Sequence, residues 1–328
     1  MRALVTGGTG FIGSSIVRAL LSTGYEVRVL IRNGSDTRNL DGLEIEHVIG
    51  DITDPMSLAR AMRGCSHVFH AAALYSFWVT IPGLIERVNV QGTRNVLRAA
   101  LEAGIERVVY TSSVAALAVP EDGTPVDELT PIDPGKIIGA YKRSKYAAEQ
   151  VALEYVAKGL PVIIVNPSFP VGPRDIKPTP TGQTIVDFLN HRLPAYVDTG
   201  MNVVDVDDVA RGHVLAAEKG RIGERYILGG KNMTMGELLA LLSKITGIRA
   251  PRMRMPYQPL LALSYLNAGW CRMTKTTPRM TPDTIRMSRH YMYYNPAKAI
   301  DELGLPQTEP QVALAKAVDW YVENGYGK

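Results

Sequence analysis

Two stretches of this sequence have the residue types and spacing for chemistry: Tyr141-Lys142-Arg143-Ser144-Lys145, and the glycine-rich turn Gly7-Gly8-Thr9-Gly10-Phe11-Ile12-Gly13. Residues four apart on a helix share a face, so the Lys145 ammonium would stand beside the Tyr141 phenol. A neighbouring positive charge favours phenolate and should lower a pKa that is ordinarily about 10. A phenol so tuned can protonate an alkoxide, or as phenolate take the proton of an alcohol. The turn supplies the complement. A G-x-x-G-x-x-G run between a strand and a helix lets backbone approach a pyrophosphate, while unpaired N–H groups and the helix dipole favour its charge. Gly7, Gly10 and Gly13 hold the three places, with Thr9, Phe11 and Ile12 lining the turn. Either stretch alone has a plain reading, a surface pair or a tight connection. Together they point to a redox enzyme that binds a dinucleotide.

The elements that must position these residues follow from apolar periodicity. Residues 2–6 read as a strand, the turn follows, and Ile16, Val17, Leu20 and Leu21 give helical spacing over 14–23. A second strand over 26–31 completes a βαβ unit. The alternation continues with strands at 44–49, 67–70, 107–110 and 161–165, and helices at 55–63, 90–103 and 141–157. This predicts an α/β fold with a doubly wound parallel sheet of the Rossmann kind. Prolines and glycines crowd 167–182, a crossover into a second region. A helix over 206–219 and a strand over 225–228 return to the sheet. The expected division is a dinucleotide-binding domain of residues 1–171 and 205–230, and a smaller, discontinuous C-terminal substrate domain of residues 172–204 and 231–328.

Folds of this kind place an acid at the end of the second strand for the adenosine ribose, or an arginine for the extra phosphate of NADP. Here the strand ends Leu30-Ile31-Arg32, and a guanidinium suits bidentate phosphate contact. NADP is therefore expected ahead of NAD. The 328 residues carry a formal charge of only +4, without a dense basic tract, so no nucleic-acid partner is expected. Cys65 and Cys271 lack metal-ligand spacing, so no metal site is expected. The apolar pattern opens at Ala3-Leu4-Val5 without a charged leader, and no stretch is long enough to span a bilayer; a cytoplasmic protein is expected.

With these motifs in place, the chain resembles the extended short-chain dehydrogenase/reductase family over nearly its whole length. The resemblance implies that Gly50-Asp51-Ile52-Thr53-Asp54 meets the adenine, through Asp51 and Ile52. It implies that Ala71, Ala72 and Ala73, after His70, lie beside the cofactor, and that Pro167 and Ser168 touch the nicotinamide. Asn89-Val90-Gln91-Gly92-Thr93 is similar to the family's N-x-x-G-T helix start, where Asn89 also has a helix-cap reading. A serine at the end of the fifth strand completes the family's catalytic set, and Ser113 is preferred to Ser112. Ser113 would hold the substrate oxygen, Tyr141 would act as general acid or base, and Lys145 would also bind the nicotinamide ribose. The carboxylates of Val204-Asp205-Val206-Asp207-Asp208 are left out of the catalytic set, since they also suit a helix N-terminus.

Ser113 is followed by Val114-Ala115, not the Asp-Glu pair of the family's dehydratases, and the epimerases' V-Y-G tripeptide is absent. Pro194-Ala195-Tyr196-Val197-Asp198-Thr199-Gly200 and Gly172-Pro173-Arg174-Asp175 are similar to the bacterial hopanoid-associated sugar epimerases, a group that also resembles dihydroflavonol 4-reductases. The resulting expectation is hydride transfer between NADP(H) and a carbonyl or secondary alcohol, within hopanoid lipid side-chain metabolism. Two alternatives stand beside it, a redox-neutral sugar epimerase with a tightly held nicotinamide and a non-catalytic cofactor-sensing regulator. Tyr75, Phe77 and Trp78 favour an apolar, small-molecule or lipid-linked substrate, or else are core. The amphipathic stretch over 256–273, flanked by arginines, suits either the core or peripheral contact with an anionic membrane. The resemblance implies a homodimer pairing the helices near 90–103 and 141–157.

Overall fold

A computed structural model describes residues 1–75, 81–119, 123–274, 276 and 281–327. The predicted alternation appears as β1 (Arg2–Thr6), α1 (Phe11–Ser22), β2 (Glu26–Ile31), β3 (Glu46–Ile49), α2 (Pro55–Ala61), β4 (His67–His70), α3 (Leu84–Glu86), α4 (Gly92–Glu102), β5 (Arg107–Thr111), α5 (Ala140–Ala157) and β6 (Val162–Pro167). Runs such as Val-Ile-Ile-Val in β6 are buried throughout, as a parallel sheet covered on both faces requires. The chain continues with β7 (Phe169–Val171), α6 (Pro180–Leu189), β8 (Ala195–Val197), β9 (Gly200–Asp205), α7 (Val206–Lys219) and β10 (Arg225–Leu228). Seven strands form one parallel sheet in the order β10-β6-β5-β4-β1-β2-β3. The strand order reverses at β1, and the crevice for a ligand in such sheets lies at the carboxyl ends there.

Register brings those ends level. Thr6 pairs with Leu30 on one side and His70 on the other, His70 with Tyr110, and Thr111 with Val165. The residues following each strand therefore share one edge: the glycine turn, Arg32, Ala71, Ser112 and Ser113. On one face α1 and α7 pack through Ile16, Val17, Leu20, Val209 and Val214. On the other, α2, α4 and α5 pack through Leu58, Val96, Leu97, Val151 and Ala152.

The remaining elements are β11 (Lys231–Thr234), α8 (Met235–Thr246), β12 (Met253–Met255), α9 (Tyr257–Thr274), α10 (Pro282–Met287), β13 (Tyr291–Met292) and α11 (Pro310–Glu323). β9 pairs with β11, β13 and β7, and β8 with β12. A separate core, with Ile185, Phe188, Leu238, Leu242, Leu314 and Val318, holds this smaller lobe together. The carboxylates around the start of α7 are joints. Asp205 caps the helix through Asp207 N at 2.8 Å and accepts Lys316 Nζ at 2.8 Å, while Asp208 accepts Thr308 N at 2.7 Å.

Candidate active site

The glycine turn begins with backbone that only glycine adopts comfortably. Gly7 has φ +75°, and a Cβ there would lie 2.6 Å from Ala72 N. At Gly13 a Cβ would lie 2.0 Å from Gly7 O, so the third glycine lets α1 rest on the turn. The helix starts at Phe11, three residues before the periodicity indicates, because Phe11, Ile12 and Gly13 belong both to the glycine motif and to the first helical turn. Its N-cap is Gly10, without a side-chain cap, and its first turn contains no acid. Its leading N–H groups are therefore kept for an anion from outside the helix. Asn39 braces the turn by donating Nδ2 to Thr9 O at 3.2 Å and to Arg174 O at 2.9 Å.

Ser113 follows β5, and Tyr141 and Lys145 stand one turn apart on α5. Ser113 caps a short 3-10 turn, its Oγ accepting from Ala115 N at 3.1 Å, and its hydroxyl favours the ionised form of the Tyr141 phenol. Lys145 is buried, donates Nζ to Thr111 O at 2.8 Å, and sits 5.1 Å from the centre of the Tyr110 ring. The electrostatics differ from the expectation that Lys145 lowers the tyrosine pKa. Burial dominates and pushes the Tyr141 phenol up to about 12, with the Ser113 hydroxyl pulling it back down. Burial also pushes Lys145 down to about 8, with Glu149 opposing that shift. At neutral pH Tyr141 is a protonated phenol and Lys145, one turn further along α5, is an ammonium.

Glu149 is the functional neighbour that the sequence reading passed over. Tyr141, Lys145 and Glu149 recur every four residues, a signal that one face of α5 carries all three. Glu149 is fully buried, accepts Ser112 Oγ at 2.5 Å and Asn166 Nδ2 at 2.9 Å on one oxygen, and pairs with Arg225 Nε at 2.6 Å through the other. Asn166 Nδ2 also donates to Ser113 O at 3.0 Å. A buried carboxylate thus ties α5, the end of β5 and β6 together, and fixes the backbone that presents Ser113.

The other expected contacts lie at or just beyond the carboxyl ends of the strands. Arg32 is exposed and forms no ion pair among the described residues, whereas the nearby acid Asp36 is held by Arg38 at 2.7 Å. Asp51 accepts Thr53 N at 2.7 Å through Oδ1, which is turn duty for one of its two oxygens. Ile52 is buried beneath Gly92. Ala71 continues the ladder through its N–H to Thr6 O at 3.1 Å, and Ala72 lies against Gly7, with Ala73 exposed next in line. Pro167 ends β6, and the hydroxyl of Ser168 is buried without a hydrogen-bond partner. A buried Ser168 hydroxyl without a hydrogen-bond partner among the described residues, a cradle closed to any Cβ and an uncapped helix start together fit a nicotinamide dinucleotide. Asn89 is structural: it clamps Leu74 through both N–H and C=O, at 2.7 and 3.1 Å, and donates to Ser144 Oγ at 2.9 Å. Tyr75 lies over Tyr141 with ring centres 4.6 Å apart, while Phe77 and Trp78 lie outside the described residues. Among the described residues no cluster of His, Cys, Asp and Glu could hold a metal ion.

This combination of a dinucleotide cradle with Ser, Tyr and Lys defines an extended short-chain dehydrogenase/reductase. The profile of the NAD dependent epimerase/dehydratase family matches residues 3–229, and the chain belongs to that family. It is 48% identical over 328 residues to a Synechocystis sp. protein provisionally named dihydroflavonol 4-reductase, covering 99% of this chain and 95% of that one. It is 36% identical over 329 residues to the sterol demethylase protein B of Methylococcus capsulatus, covering 99% of each. The crystal structure of gox2253 superposes with a TM-score of 0.90 at 46% identity, covering 99% of both chains. The protein is an NAD(P)-dependent enzyme of the oxidoreductase kind.

Proposed function

We propose that the protein is an NADPH-preferring reductase of a ketone or aldehyde on an apolar, polycyclic or lipid-linked substrate. The observation that carries this reading is the Tyr141 phenol, held protonated by burial, influenced by the Ser113 hydroxyl and followed one turn later by the Lys145 ammonium. The nicotinamide nucleotide, when bound, supplies the hydride. Gly7, Thr9, Gly10, Phe11 and Ile12 cradle its pyrophosphate, Arg32 meets the phosphate that distinguishes NADP, Asp51 and Ile52 border the adenine, and Ala71, Ala72, Ala73, Pro167 and Ser168 border the rest. Ser113 orients the carbonyl oxygen. As that carbon gains hydride, Tyr141 gives its proton to the oxygen, and the phenolate left behind is stabilised by Lys145 and reprotonated from water.

Tyr75 over the phenol, and Phe169 and Met292 packed beside Val114, favour an apolar substrate over a hydroxylated sugar. A relative named for sterol demethylation and one named as a reductase support the same class. The hopanoid setting rests on the family resemblance, and we propose it with a cytoplasmic homodimer built on α4 and α5. The test is incubation of the purified chain with polycyclic ketones and aldehydes under NADPH or NADH. Stoichiometric loss of NADPH absorbance, with tighter binding of NADPH, supports the reading. Epimer formation without net consumption would replace it with a redox-neutral epimerase. A Tyr141→Phe chain that keeps full biological function would replace it with a regulator. A monomeric mass in light scattering would remove the dimer.

A further inference from the structure

Helix α9 is dressed unlike an ordinary surface helix. Leu260, Ser264, Ala268 and Cys271 face the body of the protein and are buried. A second stripe, Leu263, Leu266, Trp270 and Met273, also recurs at helical spacing, yet it is 50%, 72%, 66% and 81% exposed. The outward face of a helix on a globular protein is normally polar. This helix contains no acid, and its single charge is Arg272. Exposed arginines lie on the adjoining segments: Arg249, Arg252 and Arg254 on the chain leading into α9, with Arg254 paired to Asp198 at 3.0 Å, and Arg286 and Arg289 on and just beyond α10, which packs against α9, with Arg286 paired to Asp283 at 3.4 Å. Among the described residues from 247 to 291 the only acid is Asp283. Tyr265, 49% exposed, adds an amphipathic ring on the flank where Arg286 meets the helix.

We propose that this face docks on an anionic lipid bilayer, with α9 lying in the plane of the headgroups. The apolar stripe enters the acyl boundary, Trp270 sits at the interface, and the arginine rim meets lipid phosphates. A second copy of the chain is a poorer occupant, because a two-fold contact would set this arginine rim against itself. No described helix is long and apolar enough to cross a membrane, so the helix rests on the surface and does not span it. The contact stands on the surface alone and is independent of the reaction proposed above, although it would bring the chain to a lipid-linked substrate.

The experiment is co-sedimentation of the full chain with vesicles of phosphatidylglycerol and phosphatidylcholine in equal parts, and with phosphatidylcholine alone. Binding to the anionic vesicles is expected, weakened by salt and weak on the neutral ones. Leu266→Glu with Trp270→Glu should reduce anionic-vesicle binding at least about tenfold, since both the buried apolar area and the charge balance change, while leaving the melting temperature and the affinity for NADPH unchanged. Absence of binding to anionic vesicles overturns the proposal, as does binding that the double substitution leaves intact. A native dimer that the same substitution converts to monomer in light scattering also overturns it and assigns the stripe to a second copy.

Discussion

Lys142 follows Tyr141 directly, yet its side chain is 5% exposed and its hydrogen bond is to Met292 Sδ at 3.9 Å. Sulfur is a weak acceptor, and burial pushes the ammonium from an ordinary 10.5 down to about 8. That gap corresponds to about 3 kcal/mol of destabilisation carried by the charged form in the fold. Between about pH 8 and 10.5 the unfolded chain binds this proton and the folded chain has released it. Stability therefore rises with pH across that window, and the whole deficit is present below about 8. Lys142→Met removes the charge, nearly keeps the length, and places a thioether beside Met292. At neutral pH the variant should be more stable by roughly 2–3 kcal/mol, with the advantage shrinking as pH approaches 9.5 or so. Urea unfolding followed by circular dichroism at both pH values measures it. A variant less stable than the parent at neutral pH, or a gain indifferent to pH, would show that the ammonium has a compensating partner and refute the reasoning.

Tyr141→Phe should lower turnover by about 100- to 10,000-fold while leaving NADPH affinity, measured by nicotinamide fluorescence, within a factor of about two. Carbonyl reduction should decline as pH rises through about 8, where Lys145 loses its charge, and a pH–rate profile at saturating NADPH checks this. Glu149→Gln strips the buried partner from Arg225 and should cost about 3 kcal/mol; an unchanged denaturation midpoint would mean that the network carries no load. Arg32→Glu should weaken NADPH binding at least about tenfold with little change for NADH, read by paired titrations.

Local pattern made much of this protein legible. The glycine turn and the Tyr/Lys pair each lie within one segment, so spacing alone placed them on a strand-to-helix turn and on one face of α5. What the sequence concealed depends on partners brought together by the sheet. Glu149 meets Ser112, Asn166 and Arg225, which lie 37, 17 and 76 residues away. The neighbour four residues on suggests an acidic Tyr141, but the enclosing protein raises the phenol, and Lys145 donates to Thr111 O. Charge proximity can be read along a helix; the dielectric around it cannot. The apolar code likewise missed the first turn of α1, whose residues double as the end of the glycine motif.

The junction at Asp205 has a mechanical consequence. β9 ends there and α7 begins on the next residue, with that same carboxylate gripping Lys316 of α11. No slack separates the two lobes at this point, so a torque on the smaller one is delivered straight to the helix stacked against α1 and its glycine cradle. Seating a bulky substrate and gripping the dinucleotide would then be geared to each other, and two glycines inserted between Asp205 and Val206 would let one slip past the other.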